Sequence, residues 1–199
     1  MYRLLLIILT AFTCAFTASA QTYHGTRVHT WYNDIPISMY LPEEYFSSIQ
    51  YYPVLYLLHG TGENEGSWFK NGNAEQIFDQ LIGNGGMRKM IIVMPYSSGV
   101  TDGSYENSFK DLMSFIERNF RVHKGKRYHA IAGLSLGGFY AMHISHRFYN
   151  KFDYVGIFSA IYTTDKMSIF KKDSTALFGI SQTSPIIYKN TERDLERQF

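Results

Sequence analysis

The sequence predicts an α/β fold, a mostly parallel sheet with helices on both faces, and three observations carry that expectation. Short apolar runs alternate with helical patterns through most of the 199 residues, the pattern of a sheet layered between helices. Residues 53–58, Pro-Val-Leu-Tyr-Leu-Leu, are almost continuously apolar, as a central strand covered on both faces must be. The pentapeptide Gly133-Leu134-Ser135-Leu136-Gly137 separates an apolar run from a helical pattern, where such a sheet would make a sharp strand-to-helix turn.

Taken in order, strands are expected near residues 27–32 and at 37–41, 53–58, 90–94, 129–134 and 154–158. Two helical patterns lie between them: a shorter one over 73–82, and a clear stripe of Phe109, Leu112, Met113, Ile116 and Phe120 at helical spacing. A third helix should run from the pentapeptide to Phe148, a stretch without proline that contains Phe139, Met142 and Ile144. Residues 162–182 read as irregular, and 191–198 as a polar surface helix. A sheet ending at 154–158 would present a bare apolar edge, so the last strands of the sheet are expected to be missing from these residues. Phe109 and Phe120 read as core, whereas Trp68, Tyr96 and Tyr105 read as loop aromatics able to stack on a sugar.

The first residues read as a targeting segment. Met1-Tyr2-Arg3 is a basic head, Leu4 to Phe16 is apolar but too short to span a bilayer, and Ala18-Ser19-Ala20 precedes Gln21. That order describes a secretory signal cleaved after Ala20, leaving residues 21–199 as one domain, secreted or periplasmic, with no stable membrane anchor. The lone cysteine, Cys14, lies inside the signal, so the mature part would hold no disulfide and no thiol nucleophile. Cleavage removes one base, Arg3, and no acid; 19 basic residues become 18 against 17 acidic, a net charge near +1. No basic stripe points to nucleic acid, and the cluster from His123 to Arg127 reads as a solvated turn.

Chemistry concentrates at the ends of two strands. A serine flanked by glycines at i−2 and i+2 can sit on a tight turn because both flanking positions lack side chains. After residues 53–58 comes His59-Gly60-Thr61-Gly62-Glu63-Asn64-Glu65-Gly66-Ser67-Trp68, a glycine-bearing loop at the end of an early strand. His59 reads as a buried residue steering that loop rather than as a base. Both features fall at the carboxyl ends of their strands, the edge at which open α/β sheets bind ligands.

With these residues in view the chain resembles a known family. Tyr40-Leu41-Pro42, Pro53 to Gly60, Trp68, Ile92-Val93-Met94-Pro95, Phe115-Ile116-Glu117 and Ala130 to Gly138 are similar, in that order, to the putative-esterase branch of the α/β-hydrolases. That branch includes esterase D, the family-one carbohydrate esterases with their feruloyl esterases, the enterochelin esterases and the mycolyl-transferase antigens. The likeness runs over residues 36–160 and is strongest, from Arg127 to Ala160, to secreted esterases of plant cell-wall polysaccharide. It implies the α/β-hydrolase fold, Ser135 as nucleophile, the backbone N–H groups of Thr61 and Leu136 as oxyanion donors, and an acylated sugar or polysaccharide as substrate. It implies no cofactor and no metal.

The chain also departs from that family, whose serine is followed by an acid and then a histidine on later loops. Only His143 and His146 follow Ser135, both on the expected helix after it, roughly 12 and 16 Å along its axis. Their i, i+3 spacing makes at most two of a metal's ligands. Asp153, Asp165, Asp173 and Asp194 follow the serine, but none ends a recognisable strand at the right stage. The triad acid and histidine are therefore assigned to no residue here, and the domain is read as incomplete at its carboxyl end. Besides the serine esterase, two other readings stand: an inactive or carbohydrate-binding relative lacking the relay, and an acyltransferase on the same fold.

Overall fold

The computed structural model describes residues 22–97 and 103–160, together with the backbone of strands at Ala176–Ile180 and Pro185–Tyr188. Eight strands form one sheet: β1 (Thr26–Tyr32), β2 (Ile35–Leu41), β3 (Val54–Leu58), β4 (Ile91–Pro95), β5 (His129–Leu134), β6 (Tyr154–Phe158), β7 (Ala176–Ile180) and β8 (Pro185–Tyr188). Their order across the sheet is β1-β2-β4-β3-β5-β6-β7-β8. β4, β3, β5, β6 and β7 are mutually parallel; β2 runs antiparallel to β1 and β4, and β8 to β7. The helices are α1 (Ser67–Gly72), α2 (Ala74–Gly83), α3 (Ser104–Asn119) and α4 (Leu136–Arg147).

Strand alternation sorts the apolar side chains into two cores. Ile37, Met39 and Leu41 of β2, Val54, Tyr56 and Leu58 of β3, and Ile91 and Val93 of β4 pack with α3 and α4. On the opposite face Tyr40, Leu57, Ile92 and Met94 pack with Phe69 of α1 and with Ala74, Phe78 and Ile82 of α2. Helices thus cover both faces, as the alternation predicts. The α3 stripe of Phe109, Leu112, Met113 and Ile116 is fully buried, each side chain contributing about 1.5–3 kcal/mol; Phe120 ends the helix in extended conformation and packs at the core's margin. A polar clamp closes the α2 side: Asp79 Oδ1 accepts from the Tyr40 hydroxyl at 2.7 Å and from the Gly25 N–H at 2.8 Å, fastening the entry to β1 onto α2.

Three expectations are corrected. Tyr154–Phe158 is not the edge of the sheet, because β7 pairs along its whole length and β8 pairs with β7. Both are apolar runs of four or five residues, too short for periodicity to separate from irregular chain, and β7 lies within the stretch read as irregular. Trp68 lies in α1 rather than in a loop. Tyr105 lies in the first turn of α3, 6% exposed and packed on Tyr140 and Phe109, so it is core and not a sugar platform. The residues read as a signal peptide and those read as a helix at 191–198 lie outside the described residues.

Helix α4 seats on the sheet without intervening side chains. A Cβ at Gly133 would stand 2.2 Å from the Gly137 carbonyl group, and one at Gly137 would stand 2.4 Å from the Leu58 carbonyl oxygen. Backbone cannot yield as a flexible side chain can. Gly137→Ala is therefore expected to lower stability by about 3 kcal/mol, read as a fall in the denaturant midpoint.

His129 opens β5 buried among Tyr56, Glu117 and the chain before it, its Nε2–H donating to the His123 carbonyl at 3.0 Å while Nδ1 has no partner. Burial lowers its pKa below that of a free histidine. The unfolded chain then binds the extra proton first, so this contribution to stability is present above the unfolded pKa of about 6.5 and is lost as pH falls toward the folded pKa. Melting temperature should fall on acidification from pH 7.5 to 5, and His129→Gln should flatten that dependence.

Candidate active site

The strand-to-helix turn after β5 holds Ser135 at φ 53°, ψ −115°, left-handed backbone that a non-glycine residue rarely adopts. Such a conformation costs on the order of 1–3 kcal/mol, and the surroundings hold it. The Ser135 N–H donates to the Phe158 carbonyl at 2.8 Å, and the Ser135 carbonyl accepts from the Phe139 N–H at 3.0 Å. The serine side chain is exposed at the carboxyl edge of the sheet, while Gly137 and Gly138 behind it are buried. Leu136 begins α4, so its N–H is among the first-turn donors that have no carbonyl within the helix.

The loop after β3 abuts this turn. A Cβ at Gly60 would lie 3.7 Å from the Ser135 Cβ and 3.5 Å from the Leu134 carbonyl oxygen. Thr61 is exposed, and no acceptor among the described residues takes its N–H. The expected nucleophile and both expected oxyanion donors are therefore brought to one point of the sheet edge.

His59 is buried and bonded on both sides of its ring. The Ser97 N–H donates to Nε2 at 3.0 Å, which leaves Nε2 without a proton; Nδ1–H then donates to the Gly60 carbonyl at 2.9 Å. That carbonyl shares a planar peptide unit with the Thr61 N–H, so holding the one aims the other. The Gly60 N–H is held in turn by Glu63 Oε2 at 2.8 Å, and the Glu63 N–H returns to the Gly60 carbonyl at 3.3 Å. His59 steers the loop, as its sequence position suggests. Ser97 and Glu63 are partners that the sequence did not single out. Ser97 is legible only once β4 is known to neighbour β3, whereas Glu63, three residues after Gly60, has the spacing of a turn-closing side chain.

The relay side is different. His143 and His146 lie along α4, with His143 packed on Phe139 at 4.1 Å between ring centroids. Asp153 precedes β6, at the opposite edge from Ser135, with its carboxylate 3.5 Å from Lys126 Nζ. Asp165, Asp173 and Asp194 lie outside the described residues. None of the described histidines or aspartates is placed to complete a triad.

Proteins similar to the chain include esterases. The model of the family described as putative esterase matches residues 29–182. An endo-1,4-beta-xylanase/feruloyl esterase of Xylanibacter ruminicola is 36% identical over 137 residues, covering 61% of this chain and 19% of that protein. An esterase of Mycobacterium tuberculosis is 32% identical over 130 residues, 58% of this chain and 27% of that protein. The chain thus spans well under a third of the length of these curated relatives. Among solved structures, a ferulic acid esterase superposes with a TM-score of 0.63 at 26% identity, over 75% of this chain and 68% of that one. The feruloyl esterase module of Clostridium thermocellum complexed with sinapinate gives 0.69 at 21% identity, over 78% and 66%, a likeness of fold. With the family match reaching from β1 into the residues after β7, the chain belongs to the putative esterase family, a lineage of serine carboxylic-ester hydrolases on the α/β-hydrolase fold.

Proposed function

We propose that the chain is the nucleophile-bearing part of a secreted or periplasmic esterase that removes acetyl or feruloyl groups from plant cell-wall polysaccharide. The observation that carries the reading is the strained, exposed Ser135 standing against the Gly60–Thr61 loop. In this mechanism the Ser135 hydroxyl attacks the ester carbonyl and forms an acyl-enzyme. The Thr61 and Leu136 N–H groups receive the developing oxyanion, each such donor being worth roughly 3–4 kcal/mol of barrier. The alcohol of the sugar leaves with the proton taken from Ser135, and water then releases the acid. The similarity to a xylanase/feruloyl esterase supports the choice of polysaccharide and acyl group.

The proton needs a base, and His59 cannot supply it, because both of its nitrogens are committed to Ser97 and Gly60. His143 and His146 stand about 12 and 16 Å along α4 from the turn. The reading therefore leaves the relay acid and histidine unassigned among the residues described.

In a form of the protein bearing that relay, Ser135→Ala should lower kcat on 4-nitrophenyl acetate and methyl ferulate by about 10⁶; retained turnover would overturn the nucleophile assignment. The 199 residues alone should give no more than the residual acceleration of about 10³–10⁴ over water that an oxyanion hole and binding provide. Secretion has its own test: amino-terminal sequencing of the exported protein should begin at Gln21, and a product still carrying Met1 would contradict cleavage.

A further inference from the structure

On the face of the sheet that carries α1 and α2, a groove of about 480 Å³ opens between the β1–β2 edge and α1. Arg27, His29 and Ser38 line it from the hairpin, and Gly66, Phe69 and Lys70 from the helix side. Its charges are largely paired. Arg27 meets the Glu75 carboxylate and lies 4.6 Å over the Phe69 ring, while His29 Nε2 is 3.5 Å from Glu65 Oε1. Paired groups of this kind offer N–H donors and carboxylate acceptors side by side at low net charge. Hydroxyl groups, which both donate and accept, suit such a lining better than a phosphate does.

An aromatic surface leads from the groove to the nucleophile. Arg27, His29 and Trp31 are the exposed residues of β1 and share one face of that strand. The Trp31 ring packs edge-on against His29 at 5.5 Å and is 58% exposed, leaving a broad flat apolar surface in solvent. Trp31 pairs across the hairpin with Pro36, whose carbonyl accepts from the Tyr96 N–H at 2.9 Å. Trp31 and Tyr96 are thus two strand spacings apart, about 10 Å. Tyr96, 38% exposed, packs at 5.6 Å on His59, whose neighbour Gly60 touches the Ser135 turn. A second route gives the same placement: Gly66 of the groove is five residues from Thr61, at most about 18 Å even in extended chain.

We propose that this groove, with Trp31 and Tyr96 at its active-site end, is a subsite for the extended main chain of a neutral cell-wall polysaccharide of the xylan type. The main chain would run from the groove past Trp31 and Tyr96, so that an ester it carries farther along reaches Ser135, four strand spacings or about 19 Å from β1. The inference rests on the reading of the chain as a polysaccharide esterase, but its test reads binding and not turnover. The full chain carrying Ser135→Ala should be retarded by unesterified soluble xylan in affinity electrophoresis and not by dextran. Adding Trp31→Ala should weaken that retardation at least tenfold, and Trp31→Phe should restore most of it. A melting temperature within a few degrees of the parent confirms that the variants are folded, and Lys70→Ala offers a second, exposed probe of the same groove. No retardation by xylan, equal retardation by dextran, or undiminished retardation of the Trp31→Ala and Lys70→Ala proteins would overturn the subsite. Failure of the esterase reading would appear separately, as absence of aryl-ester hydrolysis by a relay-bearing form.

Discussion

The structure depends on a contact between backbones. Helix α4 leaves β5 through a turn so tight that Gly133 lies against the Gly137 peptide, and Gly137 lies against the end of β3. Three elements, β3, β5 and α4, therefore meet with no side chain between them. Close packing of this kind has little compliance, which lets it hold Ser135 in a conformation that a free chain would leave. It also fixes the separation between the serine and the loop after β3. The site is placed by main chain, and the side chains of the two cores keep that main chain in place.

The loop after β3 shows the same economy on a smaller scale. One ring, His59, reads the position of β4 through Ser97 and passes it to the Gly60 carbonyl. The orientation of the Thr61 N–H thereby becomes a property of the sheet rather than of an exposed loop. Preorganised donors are effective because they need no rearrangement as charge develops. On the proposed reading of Thr61 as an oxyanion donor, that preorganisation comes from a histidine held in a fixed tautomer.

Much of this was legible in the sequence, and for identifiable reasons. The strands at residues 37–41, 53–58, 90–94 and 154–158 are bounded by turn residues and are apolar enough to be recognised alone, and the α3 stripe has unmistakable spacing. The two turns that carry Ser135, Leu136 and Thr61 could be located because glycines mark both, while the roles proposed for those residues came from the family resemblance. What escaped is of two kinds. The strands β7 and β8 are short runs whose identity comes from pairing with β6, a relation between distant residues that no local pattern contains. Trp68, Tyr105 and Trp31 were misjudged or passed over because an aromatic residue reads alike in core and on a surface. Tyr105 is buried only because α3 begins at Ser104, earlier than its apolar stripe suggests.

One further consequence follows from the way β6 ends. Phe158 holds the Ser135 N–H, Ser159 turns the chain through a left-handed conformation at φ 49°, and the Ala160 Cβ would lie 2.8 Å from a Cβ added at Gly138. The start of the segment leaving β6 is thus mechanically joined to the serine turn, although it need never touch a substrate. Sequence drift along that segment is filtered first by what the turn tolerates. Natural variation in this lineage should accordingly be low at Phe158, Ser159 and Ala160, three positions held by the serine turn rather than by any substrate.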